Sequence, residues 1–284
     1  MIKTYYELTK SGLVWGNLIT TLAGFLFASN FHPIFSILVA TLAGAALVIA
    51  SACVFNNIFD READSKMPRT KKRALVSGAI SVRGAVIFGT VLALAGFSLL
   101  FLHVGTLPAF VALLGFAVYT ALYTPLKYRS SLTVFIGSIA GACPIAIGYS
   151  AALGRLDLAG VLLFLTMVLW QMPHFYSIAL FRRADYAAAG IPVLSVTKGN
   201  AMTYRYIIFY IILYFLSAAS LNFFGYAGFM YLAVVSVMAL AWLVSALKGA
   251  QQPEDIPAAR RMFFISIAVV VSFATTLSFA PILP

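Results

Sequence analysis

Nine apolar runs, each about as long as a bilayer is thick, divide this chain, and mostly short polar stretches separate them. The runs fall at roughly 12–30, 34–58, 82–103, 107–125, 132–153, 158–180, 203–223, 226–247 and 261–282. A helix needs about 20 such residues to cross the hydrocarbon core. Transmembrane barrels use segments of about ten residues with alternating polarity instead. The pattern therefore predicts an all-α polytopic membrane protein: nine transmembrane helices, bundled as one membrane-embedded domain over 1–284, with the lipid bilayer as its surroundings. The first run follows Lys3 and Lys10 like a leader peptide, but no small-x-small cleavage pattern closes it, so it reads as an uncleaved helix.

Composition agrees. The chain is 62% hydrophobic and 10% charged, with a mean hydropathy of +0.99, which excludes a soluble domain of this size. The net charge of +11 changes the picture only once it is threaded through nine spans. With the N-terminus cytoplasmic, Arg155 is the one residue of the 19 Lys and Arg on the opposite face, beside Asp157. That asymmetry follows the positive-inside rule. It predicts a cytoplasmic N-terminus, a C-terminus on the other side of a cell inner membrane, and no nucleic-acid partner. Cys53 and Cys143 fall in different runs without metal-ligand spacing and read as small packing residues.

Two connections are long, about 59–81 and 181–202, and both lie on the basic face. The first begins Asn56-Asn57-Ile58-Phe59-Asp60-Arg61-Glu62-Ala63-Asp64 and runs on through Arg69, Thr70 and Arg73. Asn56, Asp60 and Asp64 are four apart, so a continuing helix puts all three oxygen-bearing side chains on one face. Carboxylates beside a membrane span are expensive and usually functional. Oxygen ligands suit Mg²⁺, which commonly bridges to substrate phosphates, and Arg69 and Arg73 suit the phosphates. The plainer reading is a helix end with solvated charges.

The second connection follows Trp170-Gln171-Met172-Pro173-His174 and contains Phe181-Arg182-Arg183-Ala184-Asp185-Tyr186. Pro173 is expected to break the helix ladder inside its span. His174 and Asp185 are eleven apart, about three turns, and share a face if the helix continues. His174 reads either as a general base or porphyrin contact, or as a histidine satisfied by a backbone carbonyl. Asp185 reads either as a site carboxylate or as the partner of Arg182 or Arg183. Tyr119, Tyr123, Lys127 and Arg129 close the fourth run and double as an interfacial anchor. Lys10 and Asn17 are seven apart, near one face of the first helix, where Asn17 needs a polar partner.

These residues resemble the UbiA-type intramembrane prenyltransferase superfamily. Its first acidic motif, Asn-x-x-x-Asp-x-x-x-Asp, is matched by Asn56, Asp60 and Asp64. Asp64-x-x-Met67-x-Arg69-Thr70-x-x-Arg73, Trp170 to His174, Phe181-x-x-x-Asp185-Tyr186, Ile191-Pro192-Val193-Leu194, Leu8 to Gly12 and Gly16-Asn17-Leu18 are similar to the haem-farnesylating branch, and the resemblance runs the length of the chain. It implies a nine-helix bundle around a central cavity that faces the cytoplasm. It further implies transfer of a farnesyl group from farnesyl diphosphate to a vinyl group of haem B, with water addition, giving haem O. Mg²⁺ on Asn56, Asp60, Asp64 and Asp185 would hold the diphosphate. Lys10, Asn17, Arg69, Arg73, Tyr123, Lys127 and Arg183 would contact substrate, and His174 would serve the haem side. Downstream partners implied are haem A synthase or haem-copper oxidase assembly. The chain departs from the pattern twice. Ala189 stands where many members carry a second acid after Asp185, and Lys127 comes one place early after Tyr123.

Two other functions compete: a prenyltransferase of the same superfamily with an aromatic acceptor such as 4-hydroxybenzoate, and a membrane transporter. Intramembrane Asn, Asp and His would suit a transporter. Against it, the carboxylates cluster at one membrane edge beside paired arginines.

Overall fold

The computed structural model describes residues 2–282, so the outermost residues of the 1–284 domain lie outside it. Among the described residues nine helices are long and apolar enough to span a membrane. They are α1 (Ser11–Ala28), α2 (Phe35–Phe59), α3 (Val82–His103), α4 (Thr106–Leu126), α5 (Thr133–Leu153), α6 (Leu158–Phe181), α7 (Asn200–Phe223), α8 (Phe229–Gln251) and α9 (Ile256–Phe279). No strand occurs among the described residues.

The expected runs hold to within a few residues, and the largest shift is at α9. Its start moves from 261 to Ile256 because Asp255 accepts a hydrogen bond from the Ala258 amide at 3.3 Å and a proline occupies the first turn. Such a cap and a first-turn proline nucleate a helix ahead of its apolar stretch. The same logic starts α3 at Ser81, whose Oγ accepts from the Gly84 amide, and α6 at Asp157.

Helices in lipid gain little from burying apolar surface, so close packing depends on small residues. Helix α5, the most enclosed span, crosses α1 where a Cβ on Gly148 would sit 1.9 Å from the Thr21 carbonyl oxygen and one on Gly24 would sit 2.3 Å from that of Ile145. Helices α2 and α3 meet the same way at Gly44 and Gly96. Cys53 and Cys143 are buried and unpaired, as packing residues should be. Phe101, Leu102, Phe110 and Leu216 stay exposed on the flanks, the normal state of a lipid-facing surface.

One expectation fails. Pro173 does not break α6, which runs unbroken from Leu158 to Phe181. Its chain instead turns at Arg182, and a separate short helix, Arg183–Ala188, carries Asp185. His174 and Asp185 therefore do not share a helix face.

Candidate active site

The site is built at the cytoplasmic-facing end expected for α2, where the sequence turns from apolar to charged. Asp60 ends α2 with φ −79° and ψ −5°, and Arg61–Lys66 continue as a short helix. The junction does not disturb the ladder. The Asp60 amide donates to the Asn56 carbonyl at 2.9 Å, and the Asp64 amide donates to the Asp60 carbonyl at 2.7 Å. The four-residue register thus passes through the helix end, and Asn56, Asp60 and Asp64 are all buried.

Each member of the ladder carries its own basic partner, drawn from a different stretch of chain. Lys10, in the left-handed backbone conformation just before α1, donates to Asn56 Oδ1. Lys127 Nζ donates to the Asp60 carboxylate at 2.6 Å. Arg73 donates to Asp64 Oδ2 at 2.6 Å. Neutral groups complete the set: Tyr128 Oη donates to Asp60 Oδ1 at 2.7 Å, Asn56 Nδ2 donates to Thr124 Oγ1 at 3.0 Å, and Thr70 Oγ1 donates to the Asp64 carbonyl at 3.0 Å. Asn57, next to the ladder, ties α2 to the chain before α1 by donating to the Leu8 carbonyl at 2.8 Å.

Lys127 and Tyr128 owe their position to a π-helical turn, Val118–Tyr123, inside α4. Single π turns widen a helix and occur often at functional sites. Here the turn stacks Tyr119 on Tyr123, with centroids 5.4 Å apart. It also lets Thr124 Oγ1 donate to the Tyr119 carbonyl at 2.8 Å. Tyr123 fits because α5 offers Gly137, where a Cβ would come within 2.8 Å of the ring. Tyr128 and Thr124 carry no motif or spacing in the sequence that announces them. Lys127 lines the cavity, and Arg129 does not.

The cavity has a volume of about 190 Å³. Its polar half is the ladder with Lys10, Arg69, Arg73, Lys127, Tyr123 and Tyr128, and its apolar wall includes Met67, Val134, Phe175, Ile178, Ile191 and Val193. Asp185 does not itself line the cavity; half-buried, it has Arg182 Nη1 at 3.6 Å and Arg69 Nε at 3.9 Å. Since Arg69 lines the cavity, the Asp185 pair joins the two long connections above it. Burial, the largest cause, and the neighbouring Asp60 both push the Tyr128 phenol up from its ordinary range. It stays protonated and keeps donating. Burial, with Arg73 and Lys127 nearby, lowers Lys10 to about 8.

Besides Asp185, three sequence candidates do not line this cavity. Asn17 turns back on its own helix and donates to the Leu13 carbonyl at 2.8 Å; that carbonyl was close enough to supply the partner it needed. Arg183 lies 3.6 Å from Glu254, drawn outward by the short helix that follows Arg182. His174 is held in the α6–α9 seam, stacked on Trp170 at 4.8 Å and packed against Phe263 at 5.0 Å. Its Nδ1 lies 2.7 Å from Ser266 Oγ. Ser266 Oγ donates its single hydrogen to the Phe263 carbonyl at 2.5 Å, so Nδ1–H is the donor and Nε2 keeps its lone pair.

The donor set fits Mg²⁺. Two carboxylates and a carboxamide are hard oxygen ligands on one helical face. Among the described residues no group of three His, Cys, Asp or Glu converges, so phosphate oxygens or water would complete the coordination.

Comparison with known proteins agrees with this fold. The chain is 43% identical to the protoheme IX farnesyltransferase of Sodalis glossinidius (strain morsitans), over 98% of this chain and 94% of the relative. It is 42% identical to that of Serratia proteamaculans (strain 568) over the same shares. Its fold superposes on that of a solved digeranylgeranylglyceryl phosphate synthase with a TM-score of 0.82, at 19% identity, covering 99% of this chain and 98% of the other. A UbiA homolog from Archaeoglobus fulgidus, solved with GPP and Mg²⁺, superposes with a TM-score of 0.69 at 15% identity, covering 96% and 99%. The model of the UbiA prenyltransferase family matches residues 17–268. That span includes the whole acidic ladder and every membrane helix but parts of the first and last, and the chain belongs to the UbiA prenyltransferase family.

Proposed function

We propose that this protein transfers a farnesyl group from farnesyl diphosphate to a vinyl group of haem B, giving haem O, at the cytoplasmic face of the membrane. The observation that carries the reading is a cavity lined by both charged and apolar side chains. An oxygen ladder with Lys10, Arg69, Arg73 and Lys127 shares one cavity with the apolar side chains of Phe175, Ile178, Ile191 and Val193. Such a cavity suits a molecule with a diphosphate head and a hydrocarbon tail. The names of the relatives at 43% and 42% identity support haem as acceptor, against an aromatic acid. Membership of a prenyltransferase family leaves nothing to favour a transporter.

Asn56, Asp60 and Asp64 would hold Mg²⁺, with Asp185 approaching from the opposite connection. Bound there, the ion would withdraw charge from the diphosphate as a Lewis acid. The chain's own residues do the rest. Lys10, Arg69, Arg73 and Lys127 bind the phosphate oxygens and take up the negative charge that grows as the carbon–oxygen bond ionises. Tyr123 and Phe175 line the path of the allyl group, where an aromatic face stabilises a nearby cation. The apolar wall keeps bulk water from the farnesyl cation until the vinyl carbon attacks. Water then adds to the porphyrin-side cation, and one proton leaves. His174, with Nε2 free to accept a proton or meet iron, serves the haem side from the α6–α9 seam.

Incubating the detergent-purified protein with haem B, farnesyl diphosphate and Mg²⁺, then weighing the haem by mass spectrometry, tests the reading. The expected product is haem B plus one farnesyl group and one hydroxyl, the water having lost a proton. Unmodified haem alongside a prenylated aromatic acid would replace it.

A further inference from the structure

The three ladder side chains that would bind metal are already bonded to cations of the protein itself. Asn56 Oδ1 accepts from Lys10, Asp60 from Lys127 at 2.6 Å, and Asp64 from Arg73 at 2.6 Å. These pairs are not surface contacts. The Asp60 and Lys127 side chains are 10% and 13% exposed, and the Asp64 side chain is 3% exposed. The three cations come from three separate stretches: the chain before α1, the chain after α4, and the connection after Arg61–Lys66.

A metal ion on these oxygens would sit within a few ångströms of all three cations. Like charges at that distance repel strongly in a site of low dielectric. Metal arriving alone would have to displace Lys10, Lys127 and Arg73 with no new anion to receive them. A diphosphate arriving alone would find those cations committed to the ladder. Together, metal and diphosphate satisfy both sets of groups.

We propose, building on the metal–diphosphate reading above, that Lys10, Lys127 and Arg73 act as resident counter-cations. They occupy the ladder oxygens until a metal and a diphosphate enter as a unit, then pass from carboxylate to phosphate. Binding of the two ligands is thereby coupled, each raising the affinity of the other by the same factor. Tyr128 stays on Asp60 through the exchange, because a neutral donor does not repel the metal.

Mn²⁺ provides the test, since it takes oxygen ligands and protein-bound Mn²⁺ is read by electron paramagnetic resonance without any turnover. The full-length protein in detergent is titrated with Mn²⁺ alone, and with Mn²⁺ plus a farnesyl thiodiphosphate that resists ionisation, after subtracting Mn²⁺ held by the free analogue. The expected results are at least tenfold tighter Mn²⁺ binding with the analogue, and at least tenfold tighter binding of Mn²⁺ alone in Lys127→Met and in Lys10→Met. Lys127→Arg, which keeps the cation, should bind Mn²⁺ alone no more tightly than wild type. Equal Mn²⁺ affinity with and without the analogue overturns the exchange while leaving the site itself in place, as does failure of both Met variants, if folded, to gain affinity. Absence of bound Mn²⁺ under every condition overturns the metal–diphosphate reading and this proposal with it.

Discussion

Lys127 and Asp60 are 67 residues apart in sequence, yet the lysine nitrogen lies 2.6 Å from the carboxylate. This pair fastens the end of α4 to the end of α2 and forms one wall of the cavity. Both side chains are largely out of solvent. Removing one partner of such a pair strands the other charge, at a cost of about 3–5 kcal/mol. Asp60→Ala should therefore lower the thermal midpoint in detergent. The double variant Asp60→Ala/Lys127→Met should regain most of that loss, and neither should make haem O. Thermal unfolding of the four members of the cycle checks this; a double variant as unstable as Asp60→Ala would show that the pair is not what the stability depends on.

Arg73 lines the cavity beside the ladder. It donates to Asp64 and lies 3.4 Å from Asn57 Oδ1. Arg73→Met should reduce kcat/KM for farnesyl diphosphate by about 100-fold or more, the usual consequence of losing one donor aimed at developing charge. Affinity for haem should not change. Steady-state kinetics with each substrate varied in turn separates the two, and an equal loss toward both substrates would point to general disruption.

The nine spans and the ladder were legible in the sequence because each rests on a simple period: twenty apolar residues per crossing and four residues per helical step. What happens at Lys127 rests on a π turn, which widens α4 without any distinctive residue to announce it. That turn brings Tyr128 to Asp60, so the lysine one place early still reaches the site. Pro173 misled for a related reason. A proline costs one backbone hydrogen bond, yet α6 continues through it from Leu158 to Phe181. Asn17 and Arg183 found partners nearer than the cavity, at Leu13 and Glu254; sequence spacing carries no information about such competitors.

The pH response follows from Lys10. Burial lowers it to about 8, so the free enzyme carries this charge below pH 8 and loses it above. Since kcat/KM reports the free enzyme, kcat/KM for farnesyl diphosphate should fall as pH rises through about 8. Bound diphosphate favours the protonated amine, so the corresponding fall in kcat should lie at higher pH. Lys10→Arg keeps its charge throughout and should lack the alkaline limb at 8. A wild-type profile flat to pH 9.5 would exclude Lys10 as the group concerned.

His174→Ala probes the haem side. The ring leaves Nε2 free while Nδ1 is tied to Ser266, so the variant should weaken haem binding and alter its absorbance spectrum while farnesyl diphosphate affinity holds. Unchanged haem affinity, spectrum and product, with a lower thermal midpoint, would reduce His174 to a packing role between Trp170 and Phe263.

The tightest crossing in the bundle tests the fold. A methyl group on Gly148 would meet the Thr21 carbonyl oxygen at 1.9 Å, and backbone cannot swing aside as a side chain can. Gly148→Ala should cost about 1–3 kcal/mol, measured as a lower midpoint in detergent. A variant as stable as wild type would mean that α1 and α5 do not approach this closely.

On the proposed reading, the ladder is where farnesyl diphosphate is held and ionised. The most direct measurement is the mass of haem recovered after incubating haem B, farnesyl diphosphate and Mg²⁺ with folded Asp60→Asn and Asp64→Asn beside wild type. Farnesylated, hydrated haem from wild type and unmodified haem from both variants is the predicted result. Haem O from either folded variant at a near wild-type rate would contradict it.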